Sequence, residues 1–145
     1  MWKIYMIILR ILIVGMTGLN AIAQTGHGQQ YQDLGAVDFY IQLNLADNSI
    51  LLDARTYKEY RRVRIPGALL APTTEILGEI SDTCDHEQPV FVYCSGGYRS
   101  SSACKHLIGR GFVEVYNLKG GLIGWRQHNY PLDKKKLEKI RRVSQ

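Results

Sequence analysis

Apolar residues along this chain come in short unbroken runs, separated by polar stretches with helical spacing, and that alternation predicts a layered α/β fold. The run Ile50-Leu51-Leu52, ending in Asp53, is wholly apolar, as a strand covered on both faces must be. Val90-Phe91-Val92-Tyr93 is a second such run, β-branched and aromatic; Ala68-Leu69-Leu70 is a brief third, and residues 112–116 are a fourth. The intervening segments predict helices. Asp38 caps one that runs to about Leu45, residues 56–62 form another with Arg55 and Glu59 paired at i, i+4, and Thr73-Thr74-Glu75 opens a third through about Ser81. Ser100, Ser101 and Ser102 are each competent N-caps, and Ala103, Leu107 and Ile108 supply the stripe of a helix that Gly109-Arg110-Gly111 terminates. Asn117-Leu118-Lys119-Gly120-Gly121 then connects to a last helix carrying Trp125. Strands alternating with helices predict a central, mostly parallel sheet with helices on both faces. In such sheets functional groups gather at the carboxyl ends of strands, where Asp53 and Cys94 both lie.

The ends of the chain follow another pattern. A basic start (Lys3), an apolar stretch over residues 4–19 and the small-residue pattern Ala21-Ile22-Ala23 have the layout of an export signal occupying residues 1–23. Arg10 interrupts the apolar stretch, which argues against a membrane span needing about 18 uninterrupted residues, although an uncleaved anchor is the competing reading. The expectation is therefore a periplasmic or secreted protein with no stable membrane association after cleavage. Residues 24–34 read as a polar linker, 35–132 as the folded domain and 133–145 as a basic tail.

Charge refines this division. The net +5 loses Lys3 and Arg10 with the signal, and the tail alone holds six basic and two acidic residues. The folded part is close to neutral and lacks a basic groove interleaved with aromatics, so no nucleic-acid partner is expected. The histidines His27, His86, His106 and His128 are scattered without ligand-like spacing, so neither a metal site nor a cofactor is expected.

The densest chemistry follows the Val90 run: Cys94-Ser95-Gly96-Gly97-Tyr98-Arg99-Ser100. Strand, tight loop and helix start form the arrangement that aims backbone N–H groups at one point. Gly96 and Gly97 permit the positive φ that lets amides converge, and the helix N-terminus adds partial positive charge. Arg99 adds a full charge, and the expectation is that it lowers the Cys94 pKa by about one unit below that of a free thiol. A cysteine at this focus is a thiolate nucleophile; a cysteine alone would read as buried and inert. Of the other two thiols, Cys104 falls on the apolar stripe and reads as packing, while Cys84 lies in a polar connection and is either free or paired. A hydrolase of the cysteine–histidine kind would need a histidine base beside Cys94, and nothing in the sequence supplies one.

Cys94-x-x-Gly97-x-Arg99-Ser100 resembles the active-site loop of the rhodanese (sulfurtransferase) family, and the likeness extends beyond it. Leu51-Leu52-Asp53-Ala54-Arg55 looks like the family's strand ending in Asp-x-Arg; Glu59-Tyr60 and Arg64-Ile65-Pro66-Gly67-Ala68 resemble its next segment. Val115-Tyr116-Asn117-Leu118-x-Gly120-Gly121 with Trp125 is similar to its closing motif. Val63 and Arg64 depart from the family's usual Gly-His, which bears on a turn and on one side chain at the pocket mouth. Four residues separate Cys94 from Arg99, whereas cysteine-dependent phosphatases have one more and a wider cradle.

The resemblance implies a rhodanese-like fold and a sulfurtransferase, in which Cys94 takes the sulfane sulfur of a small donor such as thiosulfate. A thiol, a protein thiol or cyanide then removes it. Ser95, Gly96, Gly97, Tyr98, Arg99 and Ser100 would bind the transferred group, and Asp53 would hold the loop or flank the pocket. Arg99 would attract the donor or brace the loop through a carboxylate, and Gly120, Gly121 and Trp125 read as close packing and core. A persulfide carrier or redox-linked interaction module with little turnover of free thiosulfate is the alternative.

Overall fold

The computed structural model describes residues 30–134. The expected signal, most of the expected linker and nearly all of the basic tail lie outside them. Five parallel strands form one sheet in the order β1-β5-β4-β2-β3: β1 Gln32–Leu34, β2 Ile50–Asp53, β3 Leu69–Leu70, β4 Val90–Tyr93 and β5 Val115–Leu118. The helices are α1 Ala36–Leu45, α2 Tyr57–Arg62, α3 Thr74–Asp82, α4 Tyr98–Gly109 and α5 Gly121–Gln127. Among the described residues no helix is long and apolar enough to cross a membrane.

The alternation of side chains along β4 divides the core in two. Phe91 and Tyr93 point to one face, where they meet Phe39 of α1 and Leu122 and Trp125 of α5. Val90 and Val92 point to the other, among Leu77 of α3 and Cys104 and Leu107 of α4. Both faces are covered, which is why β4 is hydrophobic at every position. The first face is aromatic. Phe39 packs edge-on against Phe91 (5.2 Å between ring centres) and Trp125 (6.2 Å), and Tyr40 stacks on Tyr130 at 4.2 Å.

Several elements differ from the sequence expectation, each for a physical reason. Gln32–Leu34, read as linker, adds a parallel edge strand to β5, with Asp33 paired in register with Asn117. Asp38 lies inside the first turn of α1, which Gly35 caps; there its charge suits the positive helix end without serving as a cap. The last strand starts at Val115, because the Phe112 N–H remains bonded to the Leu107 carbonyl of α4 and the Val113 N–H to His86. It runs on through Asn117 and Leu118, which had been placed in the following loop.

The serine cluster does not open α4. Gly97 caps that helix in the left-handed conformation (φ +102°), so the serines lie within the helix. The folded body reaches past residue 132. Asp133 exchanges two backbone hydrogen bonds with Arg64, at 3.0 and 2.8 Å, and forms an ion pair with its guanidinium. Arg64 therefore braces the root of the tail.

Phe39 is fully buried whereas Leu45, on the same helix, is 77% exposed. Phe39→Ala should therefore cost about 3–5 kcal/mol of unfolding free energy in urea titration. Leu45→Ala should stay within about 0.5 kcal/mol of the parent protein.

Candidate active site

Cys94 follows the last residue of β4 and is 2% exposed. Its chain must turn at once, and the left-handed Gly97 turns it so that the Gly97 N–H points back at Cys94 Sγ, 3.1 Å away. The Ser100 hydroxyl, fully buried in the first turn of α4, lies 3.4 Å from the same sulfur. Burial pushes the Cys94 thiol up. The Ser100 hydroxyl and the amides of Ser100, Gly97 and Gly96 more than offset it, and Cys94 titrates below the ordinary cysteine value. Cys104, also buried but without such donors, is pushed well above it by burial. All three cysteines are free thiols, and only Cys84 is partly exposed.

The backbone of the loop is held from behind by α5. Its Leu122 N–H donates to the Cys94 carbonyl at 2.8 Å and its Ile123 N–H to the Ser95 carbonyl at 3.2 Å. The approach is so close that a Cβ on Gly121 (φ +55°) would stand 2.5 Å from the Cys94 oxygen. Only glycine fits there. Gly120 and Gly121 read as close packing from sequence, and the surface they pack against is the cysteine loop.

Arg99 braces this loop. Its guanidinium meets both carboxylate oxygens of Glu59 at 2.9 Å, and one of its nitrogens also reaches Ser95 Oγ at 3.0 Å. Ser95 Oγ in turn donates to Glu59 at 2.8 Å. Glu59 is the N3 residue of a capping box with Thr56, whose backbone N–H and hydroxyl donate to Glu59 at 3.0 and 2.8 Å. Arg99, then Thr56 and Ser95, hold the Glu59 carboxyl well below the usual carboxylate range against a smaller opposing effect of burial.

This corrects two expectations. Glu59 does not pair with Arg55, and the charge of Arg99 is largely compensated by Glu59, so the donors at the loop lead in lowering the Cys94 pKa and the guanidinium adds a weaker attraction. Sequence reasoning missed Glu59 as a loop residue, because the Thr56-x-x-Glu59 spacing signals only the capping box of α2.

Asp53 does not face the pocket either. It is fully buried, receiving Arg55 Nε at 2.8 Å and Nη2 at 2.6 Å together with the Tyr93 hydroxyl at 2.5 Å. Through Arg55 Nη2 the cluster also reaches the Val63 carbonyl at 2.7 Å, so it fastens β2, β4 and the segment after α2 beneath the loop. Of the expected site residues, then, Ser95, Gly96, Gly97, Tyr98, Arg99 and Ser100 gather around Cys94, and Asp53 lies below them. Tyr98 is 88% exposed. A cleft of about 260 Å3 borders Gly96, Gly97 and Tyr98, with Asp33, Asn117 and Lys119 also lining it.

The chain that builds this loop, with a buried cysteine of lowered pKa and a glycine pair packed behind it, matches the family model for the rhodanese-like domain over residues 40–128. The chain belongs to the rhodanese-like domain family. A thiosulfate sulfurtransferase GlpE of Coxiella burnetii is 38% identical over 87 residues, covering 60% of this chain and 80% of that protein. A sulfurtransferase of Allochromatium vinosum is 38% identical over 90 residues, 61% of this chain and 83% of its own. The crystal structure of a rhodanese-related protein from Thermoplasma volcanium superposes with a TM-score of 0.62 at 26% identity, over 72% of this chain and 100% of the other. This rhodanese is an enzyme of the sulfurtransferase class.

The Arg99–Glu59 pair is partly exposed. Arg99→Ala should lower stability by no more than about 1 kcal/mol. It should move the pH midpoint of Cys94 alkylation by less than roughly 0.3 unit, because the guanidinium is already neutralised. Glu59→Gln, which leaves that charge uncompensated, should lower the midpoint instead. Mass-resolved alkylation across a pH series measures both.

Proposed function

We propose that this rhodanese passes sulfane sulfur from a donor such as thiosulfate to a thiophilic acceptor through a Cys94 persulfide. The observation that carries the reading is the set of donors converging on a buried sulfur: the Gly97 amide at 3.1 Å and the Ser100 hydroxyl at 3.4 Å. They stabilise negative charge on a sulfur that is itself buried. The relatives named as thiosulfate sulfurtransferases favour the same donor.

In the first step the Cys94 thiolate attacks the outer sulfur of thiosulfate. A sulfur–sulfur bond forms to Cys94, the bond within thiosulfate breaks, and its electron pair leaves with sulfite. The second step reverses the roles. An acceptor thiolate, or cyanide in an assay, takes the terminal sulfur, and the pair returns to Cys94. No external oxidant or reductant enters either step. Gly97, Gly96 and Ser100 surround the persulfide; Ser95 and Arg99, locked to Glu59, keep the loop tight. Tyr98 stands exposed at the rim, where an acceptor approaches. A loop with four residues between Cys94 and Arg99 leaves less room for a phosphoryl group than a phosphatase cradle does.

Export belongs to the same proposal. The basic start, apolar core and Ala21-Ile22-Ala23 pattern support a periplasmic or secreted enzyme.

Incubation with thiosulfate should add the mass of one sulfur atom to Cys94 and to no other residue. Cys94→Ser should abolish both this adduct and thiocyanate formation, while Cys84→Ser and Cys104→Ser should keep most of the activity. Aryl phosphates should not turn over. Loading of sulfur with little thiocyanate production would favour the carrier reading, and equal loss in Cys84→Ser would favour a disulfide relay. N-terminal sequencing of the exported form should begin at Gln24; full-length chain in the membrane fraction would point to an anchor.

A further inference from the structure

Ser100 presents a problem of proton accounting. A hydroxyl has one proton to give, and Ser100 Oγ has two acceptors within reach: Cys94 Sγ at 3.4 Å and the Gly97 carbonyl at 3.1 Å. Sulfur is the larger acceptor, so the two distances are equivalent, and whenever the carbonyl takes the proton the thiolate loses a donor. That carbonyl has two lone pairs. One receives the Ser101 N–H at 3.1 Å, as the first turn of α4 requires. The other faces Asn117, whose Nδ2 lies 3.4 Å from the same oxygen. With Ser101 and Asn117 both donating, the carbonyl is saturated and the Ser100 proton is free to turn to sulfur.

Asn117 has to present its NH2 group, and not its oxygen, for this to work. Its orientation is set from the sheet edge. Asp33 stands directly opposite Asn117 in the β1–β5 register, and its Oδ1 accepts from Asn117 Nδ2 at 2.6 Å. A carboxylate only accepts, so a flipped amide would set oxygen against oxygen. One Nδ2 proton therefore goes to Asp33 and the other to Gly97. The cost of holding this orientation is visible: Asn117 is 3% exposed and its Oδ1 has no hydrogen-bond partner among the described residues. A buried orphan acceptor calls for a compensating role.

We infer that Asn117, oriented by Asp33, is a positioning residue that occupies the Gly97 carbonyl and so directs the Ser100 hydroxyl proton onto Cys94 Sγ. Asn117 touches neither the sulfur nor the transferred group and acts through Ser100. The Asn117–Gly97 contact is long, and its effect lies in filling a lone pair more than in its own strength. The charged and titratable groups around the sulfur leave this assignment intact. Arg99 of α4 is tied to Glu59 of α2, Asp53 of β2 is closed by Arg55 and Tyr93, and Cys104 of α4 is buried and held as a neutral thiol. Lys119, after β5, is exposed on the bordering cleft.

The inference rests on Cys94 as the reactive thiol, but its test is read from alkylation and does not require sulfur transfer, so either can fail without the other. Mass-resolved alkylation of Cys94 across a pH series gives the thiol midpoint in the full chain, with thermal unfolding recorded in parallel. Asn117→Ala should raise the midpoint by roughly half a unit to one unit, the scale of one lost hydrogen bond to a thiolate. Asp33→Asn, at an exposed edge position and nearly isosteric, should raise it by less. Both shifts should vanish when Ser100 is already alanine, because the proton they direct is gone. If Asn117→Ala fails to fold, Asp33→Asn in the two Ser100 backgrounds decides alone. Midpoints unmoved by these substitutions, or shifts that persist undiminished in Ser100→Ala, overturn the inference; a loss of thermal stability without a midpoint shift does so as well.

Discussion

A peptide plane has two sides, and turning its N–H toward a buried sulfur turns a carbonyl elsewhere. The loop after β4 depends on that constraint. A loop turned so that amides face Cys94 leaves carbonyls facing outward, and these need donors of their own, because buried carbonyls are costly to leave bare. Leu122 and Ile123 at the start of α5 supply two of these donors, to Cys94 and Ser95. Ser101 and Asn117 supply two to Gly97. The nucleophile is thus surrounded by two shells of opposite polarity, donors pointing in and carbonyls pointing out to donors of their own. The close approach at Gly121 is a consequence of that second shell.

The same loop has a lateral support. Glu59 receives Arg99, Ser95 and Thr56, so a single carboxylate joins the cap of α2 to the loop and to the first turn of α4. Beneath it the buried Asp53–Arg55–Tyr93 group ties β2 to β4. Neither cluster touches the sulfur. Their contribution is to hold the geometry in which weak donors at 3.1 and 3.4 Å remain aligned.

The sheet, the position of Cys94 and the identity of its loop were legible in the sequence because each is written locally. All-apolar runs mark buried parallel strands, and a cysteine followed by a glycine pair marks a tight cradle. What was not legible depends on partners far apart in the chain. Asp33 looked like linker because a three-residue edge strand has too short a pattern to show alternation, and its meaning appears only opposite Asn117. For Asp53, which ends a strand beside the cysteine, the sequence left open whether it holds the loop or flanks the pocket, because its burial is decided by Arg55 and Tyr93. Arg99 and Glu59, separated by forty positions, pair through tertiary geometry that no local spacing announces.

The lowered pKa of Cys94 couples its reactivity to the stability of the whole domain. In the unfolded chain the donors disperse and Cys94 reverts to an ordinary thiol. The folded state therefore binds this proton less tightly than the unfolded state does. Above the unfolded thiol value the stabilisation from the folded thiolate is fully present, and it is lost as pH falls through the lower, folded value. Between those two values, acid favours unfolding through the same atom that performs the chemistry. The domain thus carries a proton linkage at its nucleophile: the interactions that make the sulfur reactive are also a reversible contribution to the native state, drawn from the few residues between the end of β4 and the first turn of α4.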